Sequence, residues 1–193
     1  MNLMRRELEK ARRLGLIVAI YSDRNSPASS SVGYVSHLGR HVITLNAFTR
    51  DGQPDGVVLR RAANIFKVEV GDTYAQRLAA LSKQRTHLES TASRGTAGER
   101  EENFYQALKR ARSKQTVVSV WLKMDTDEAY MSGLVHSLSE SEVLLNRLDD
   151  YGRPDGNVVF RIVDIEALDI GGVSERRLAF LHSSVKYDYS WPE

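Results

Sequence analysis

The sequence contains no cysteine, which excludes disulfides, thiolate catalysis and cysteine-ligated zinc. No apolar run approaches the length needed to span a bilayer, and the opening residues, MNLMRRELEKARR, lack the apolar core of a signal peptide. By elimination, the expectation is a cytoplasmic protein with no membrane partner. Proline is scarce, with four residues, and aromatics make up 8% of the chain. The 13 glycines punctuate turns and never cluster ahead of a helix, so neither a Walker loop nor a dinucleotide-binding fingerprint can be read.

Reactive constellations are equally scarce. No Ser-His-Asp arrangement is legible. Of the five histidines, His37 and His41 are four apart but flank a predicted hairpin, where that spacing does not converge on a metal. Asp149 and Asp150 adjoin a loop, where carboxylates are ordinarily solvated, and Thr49 and Arg50 stand one hundred residues earlier. The expectation is a protein that is not an enzyme, with no catalytic residues, no metal and no cofactor.

What the sequence does have is a repeat. Gly52–Gly71, GQPDGVVLRRAANIFKVEVG, returns one hundred residues later as Gly152–Gly171, GRPDGNVVFRIVDIEALDIG. At that constant offset, residues 8–81 and 108–181 are identical at about 21 of 74 positions, without a gap. The identities are mostly Gly, Pro, Leu, Val and Ile, the marks of a shared scaffold. Two units of this size are each large enough for a small core, which predicts two domains, each closing its own apolar interior. The boundaries are 1–84 for the first repeat, 85–102 for a polar linker, 103–184 for the second repeat and 185–193 for an aromatic tail.

The net charge of +2 conceals an asymmetry. Residues 1–86 hold 14 Lys+Arg against 7 Asp+Glu, and residues 87–193 hold 13 against 18. A basic first repeat and an acidic second one would attract, within one chain or head to tail between chains. The alternative is drift of solvated surface after duplication.

Apolar spacing gives each unit the same order. Leu3, Met4, Leu8, Ala11 and Leu14 form one stripe of a helix that Gly15 ends. Strands follow at 16–21, 32–38, 41–48, 57–61 and 65–70, with Gly39 and Arg40 in a tight hairpin and Pro54-Asp55-Gly56 in a loop. Asp72 caps a second helix. The second unit repeats the series with a helix at 104–113, strands at 116–122, 130–138, 142–148, 157–162 and 164–170, and a helix at 173–184. Asn46 and Asn146 read as turn-formers.

A helix followed by five short, bent strands resembles the Sm-like (LSm) small barrel. Val18-x-Ile20, Gly33-x-Val35 and Ile43-x-Leu45 resemble the first Sm motif. Arg61-Ala62-Ala63-Asn64-Ile65 and Arg161-Ile162-Val163-Asp164-Ile165 resemble the Arg-Gly-x-x-Ile stretch of the second. The likeness covers about 55 residues of each unit. It implies a mainly β, α+β fold of two tandem five-stranded barrels, each with flanking helices. It also implies units that pair strand four with strand five of a neighbour. The aspartate and asparagine of RNA-binding Sm proteins are replaced by Gly39 and Ile43, and by Ser139 and Val143. Through its Gly-Tyr-Val and Asp-Gly patterns the chain also resembles uncharacterised proteins of low-GC Gram-positive bacteria, which implies no activity.

Three functional readings follow. In the first, the basic unit binds single-stranded RNA, with Arg40, Arg50, Arg60, Arg61 and Lys67 as phosphate contacts and Tyr21, Tyr34 and Phe66 as stacking surfaces. Against it, Arg61 and Arg161 are read as structural, each bracing the turn between strands four and five. In the second, the chain is an interaction or oligomerisation scaffold. Open sheet edges and the tail residues Tyr187, Tyr189 and Trp191 then supply its adhesive surface. The third is a small-molecule enzyme, which would need a deep pocket with convergent polar groups.

Overall fold

The computed structural model describes residues 2–88, 103–123 and 129–184. The first helix, α1 (Leu3–Leu14), forms where the apolar stripe requires it, burying Leu8 and Ala11. Asn2 accepts a hydrogen bond from the Met4 N–H at its start, and Gly15 ends it with φ of 61°. The strands β1 (Ile17–Tyr21), β2 (Ser31–Leu38), β3 (Val42–Phe48), β4 (Pro54–Arg61) and β5 (Lys67–Val70) follow, then α2 (Thr73–Leu88). The second repeat gives α3 (Phe104–Ser113), β6 (Val118–Leu122), β7 (Ala129–Leu138), β8 (Glu142–Leu148), β9 (Pro154–Arg161), β10 (Ile165–Ile170) and α4 (Val173–Ser184). Over the described residues the fold is mainly β with four helices.

Both repeats depend on the same close approach. A Cβ on Gly33 would lie 2.1 Å from the Asn46 carbonyl oxygen, and one on Gly133 would lie 2.1 Å from that of Asn146. Only glycine lets the second and third strands of each repeat come this near. Asn46 and Asn146 therefore lie inside β3 and β8 rather than in turns. The Pro-Asp-Gly segments are likewise not loops. Pro54 and Pro154 begin β4 and β9, where a missing N–H is tolerated, and Gly56 and Gly156 carry φ of 72° and 75° within the strands. The turn lies just before, where Gly52 donates to the Thr49 carbonyl. Between β4 and β5 the chain makes a single 3-10 turn, Ala62–Asn64.

The expectation of two self-contained interiors does not hold. The ten strands of the described residues form one antiparallel sheet in the order β5-β1-β2-β3-β4-β10-β6-β7-β8-β9. The repeats meet where β4 pairs with β10, with Leu59 opposite Leu168 and Arg60 opposite Ala167. Leu59, fully buried, and Val42 pack with Phe104, Leu108, Leu145 and Leu168 of the second repeat. The first repeat keeps a core of its own around Leu8, Val18, Ile20, Val35 and Leu45. The physical reason is the hydrogen-bonding edge of β4. Its N–H and C=O groups find partners on β10, and the apolar side chains flanking them are buried along with the ladder. Among the described residues no pairing joins β5 to β9, so the sheet does not close. Helix α2 runs to Leu88, past the expected start of the linker, and residues 89–102 lie outside the described residues, as does the tail with Tyr187, Tyr189 and Trp191.

Candidate functional site: the seam and its open counterparts

The seam is built by side chains from both repeats. Arg60 is nearly buried, donates to the Asp169 carboxylate at 2.5 Å and to the Leu59 carbonyl, and lies 5.8 Å from the centre of the Trp121 ring. Its neighbour Arg61 points toward the other repeat's 3-10 turn. There Nε donates to the Ile165 carbonyl at 2.9 Å, Nη2 donates to the Val163 carbonyl at 2.7 Å, and the guanidinium lies 5.6 Å from the Phe104 ring. Arginine suits this place because its planar fork can hold two carbonyls while its face covers an aromatic ring.

At the far end of β4, Asp55 accepts from the Val173 N–H at 2.7 Å and so caps α4 from across the seam. The residue before α4, Gly172, cannot perform that task itself, and a Cβ there would lie 3.0 Å from Asp55 Oδ1. Arg176 of α4 returns a hydrogen bond to the Pro54 carbonyl. Beneath this helix start, the buried Glu175 accepts from Ser119 at 2.5 Å, and Ser119 shares a hydrogen bond with Ser132. The same positions of the first repeat hold Ala75, Ala19 and Val32.

Among the described residues, two edges of the sheet pair with no further strand, β9 and β5. They are the repeat equivalents of β4 and β10, the two strands that meet in the seam. On β9, Val159 stands where Leu59 stands on β4, and it is 61% exposed. Arg161 stands where Arg61 stands, but it is exposed and bonds Asp164 of its own turn at 2.7 Å. On β5, Glu69 takes the place of Asp169. It accepts from Lys67 at 2.7 Å and from the Tyr21 hydroxyl at 2.6 Å. The Lys67 ammonium, followed by the Tyr21 hydroxyl, holds the Glu69 carboxyl below its usual value. That same Glu69 contact raises both the Tyr21 hydroxyl and the Lys67 ammonium.

Next to β5 is a cavity of about 330 Å³, lined by Asn2, Met4, Arg5, Leu8, Leu38, Arg40, Ile43, Ala62, Ala63 and Ile65. Over the seam lies a second, of about 280 Å³, in which Arg60, Trp121, Glu166 and Asp169 face Ser22, Asp23 and the serines before β2.

The five cations singled out from sequence are thus spread over different environments. Arg60 and Arg61 lie in the seam, and Lys67 is paired with Glu69 while covering the Tyr21 ring at 4.2 Å. Arg40 is exposed at the rim of the β5 cavity, and Arg50 is exposed in the turn after β3. Of the aromatics, Tyr34 packs edge-on against Phe48, and Phe66 lies under Arg24. Arg61 does brace a turn between a fourth and a fifth strand, but it is the other repeat's turn. Sequence reasoning missed the roles of Asp55, Gly172 and Trp121. The substitution of Gly172 for Asp72 was a usable signal: one repeat carries its own helix cap and the other does not. Among the described residues, no three His, Asp or Glu side chains group as a metal site, and no helix is long and apolar enough to cross a membrane. Comparison with protein-family models, curated proteins and solved structures gives no match.

Proposed function

We propose that this chain is a non-enzymatic assembly module, made of two Sm-like small barrels fused in tandem, that takes up partner proteins by strand addition at its open sheet edges. The observation that carries the reading is the β4–β10 seam. There one repeat's fourth strand serves as the added strand for the other repeat's fifth, with side chains arranged to fix its position. Since β9 and β5 are the remaining copies of those two edges, the chain displays the same kind of surface twice more. Strand addition draws affinity from backbone hydrogen bonds and specificity from alternate side chains. The RNA reading has less to stand on, because Arg60 and Arg61 are engaged in the seam and Lys67 in an ion pair.

The test is a display library of short extended peptides panned against the full chain, with single-stranded RNA assayed in parallel at low salt. Selected peptides should slow amide exchange at Lys67–Val70 or at Asn157–Arg161. Peptides that protect neither edge, or salt-sensitive RNA binding with no peptide selected, would overturn the reading.

A further inference from the structure

The cavity beside β5 is the vacant counterpart of a socket that is filled elsewhere in the same molecule. In the second repeat, Arg61 is received by Phe104, the Val163 carbonyl and the Ile165 carbonyl. One hundred residues earlier those positions are Met4, Ala63 and Ile65, and all three line the cavity. By this correspondence the β5 edge and the cavity at the turn before it match the acceptor that β10 and its socket make for β4.

The two acceptors differ in charge at both ends. At the positions where the cavity has Arg5 and Arg40, the sequence of the second repeat has Tyr105 and Glu140. Arg5 is held at the mouth by hydrogen bonds to the Leu38 and Gly39 carbonyls and pairs with the Glu9 carboxylate at 3.1 Å, and Arg40 is exposed at the rim. At the other end, the place of Gly172 is taken by Asp72, which already caps α2 by accepting from the Ala75 N–H at 2.7 Å. A second copy of this chain would bring Arg161, paired with Asp164 of its own turn, to Arg40, and Asp155, paired with Arg147, to Asp72. In the existing seam, Asp55 Oδ1 lies 3.0 Å from where a Cβ at position 172 would be. At both ends a head-to-tail contact would set like charges together unless the Arg161–Asp164 and Arg147–Asp155 ion pairs rearranged.

Resting on the strand-addition reading, we infer that the β5 edge and its cavity receive an extended strand of a different protein. That strand carries a carboxylate at the position matching Arg61 and a basic residue at the position matching Asp55. The apolar floor of Met4, Leu8, Leu38 and Ile43 takes the stem of the acidic residue, and Arg40 meets its head, with Arg5 held beside it by Glu9 and two carbonyls. Charge reversal at the ends of a shared scaffold thus selects a foreign strand over a copy of β9.

Two fluorescent peptides test this against the full chain by anisotropy. One has the sequence of residues 153–162. The other has residues 53–62 with Asp55→Lys and Arg61→Glu. The second peptide should bind about tenfold more tightly than the first, and Arg40→Glu in the protein should remove or reverse that preference. Arg40 is exposed, so this variant should fold, and unchanged circular dichroism checks that it does. Equal binding of both peptides, or a preference unaffected by Arg40→Glu, would overturn the charge assignment while leaving strand addition intact. Failure of both peptides to bind would overturn both readings. Concentration-dependent oligomers in light scattering, abolished by Arg161→Ala, would identify a second copy as the occupant and overturn the inference.

Discussion

Arg61 and Arg161 occupy the same place in the repeat, yet their surroundings demand opposite responses to truncation. Arg61→Ala removes a cation that bonds the Ile165 and Val163 carbonyls and covers Phe104. A hydrogen bond from a charged donor is worth about 1.5–3 kcal/mol, and a cation over an aromatic ring about 0.5–1 kcal/mol at an exposed site. The carbonyl of Val163 is open to water, which can replace the lost donor there. The low end of the range therefore applies, giving about 2–3 kcal/mol in all. Arg161→Ala removes only an exposed guanidinium from a carboxylate three residues away, a contact worth less than about 0.5 kcal/mol. For a chain of this size the two costs correspond to falls in Tm of about 4–12 °C and less than about 2 °C. Urea denaturation followed by Trp121 fluorescence, in a Trp191→Phe background, reads the change at the seam itself. Equal losses in the two variants, or a larger loss for Arg161→Ala, would refute the seam as the source of Arg61's contribution.

Three further outcomes follow from the same geometry. Arg60→Phe installs the second repeat's residue but leaves Asp169 without its cation, and should lower stability by about 2–3 kcal/mol, with Asp169→Ala in addition restoring part of the loss in a thermal melt. Thr44 is fully buried, and its hydroxyl has no hydrogen-bond partner among the described residues; Thr44→Val should raise stability by about 1 kcal/mol in urea titration. Because the folded-state acid of Glu69 is stronger than its unfolded one, its contribution is present above the unfolded pKa and lost as pH falls through the folded value. Glu69→Gln should therefore lower Tm slightly near neutrality, by less than about 2 °C, and the gap from the parent should close below the ordinary carboxylate range.

The parts of the fold that were legible in sequence are those fixed within a few residues or by the repeat. Gly15 and Asp72 are local helix signals, and each caps where the pattern places it. Gly33 and Gly133 stood out by recurrence, though the reason, an approach to the Asn46 and Asn146 carbonyls, needed the paired strand. The Pro-Asp-Gly segments misled because the composition of a turn also suits the first residues of a strand, where proline is tolerated. The seam was hidden for a more general reason. Backbone ladders are made by groups that every residue carries, so β4 meeting β10 leaves no side-chain signature. The Arg60–Asp169 pair spans 109 positions, and the Glu175–Ser119 hydrogen bond spans 56. No periodicity within one repeat can reveal either.

The cap that Asp55 gives to α4 makes the two copies unequal in time as well as in space. A ribosome delivers the first half complete with its own helix-starting residue, Asp72, whereas the later half arrives lacking one, with Gly172 in its stead. Its last helix is finished by a carboxylate synthesised more than a hundred residues before. Duplication thus left a provider and a dependant, and the dependence runs in the direction of synthesis.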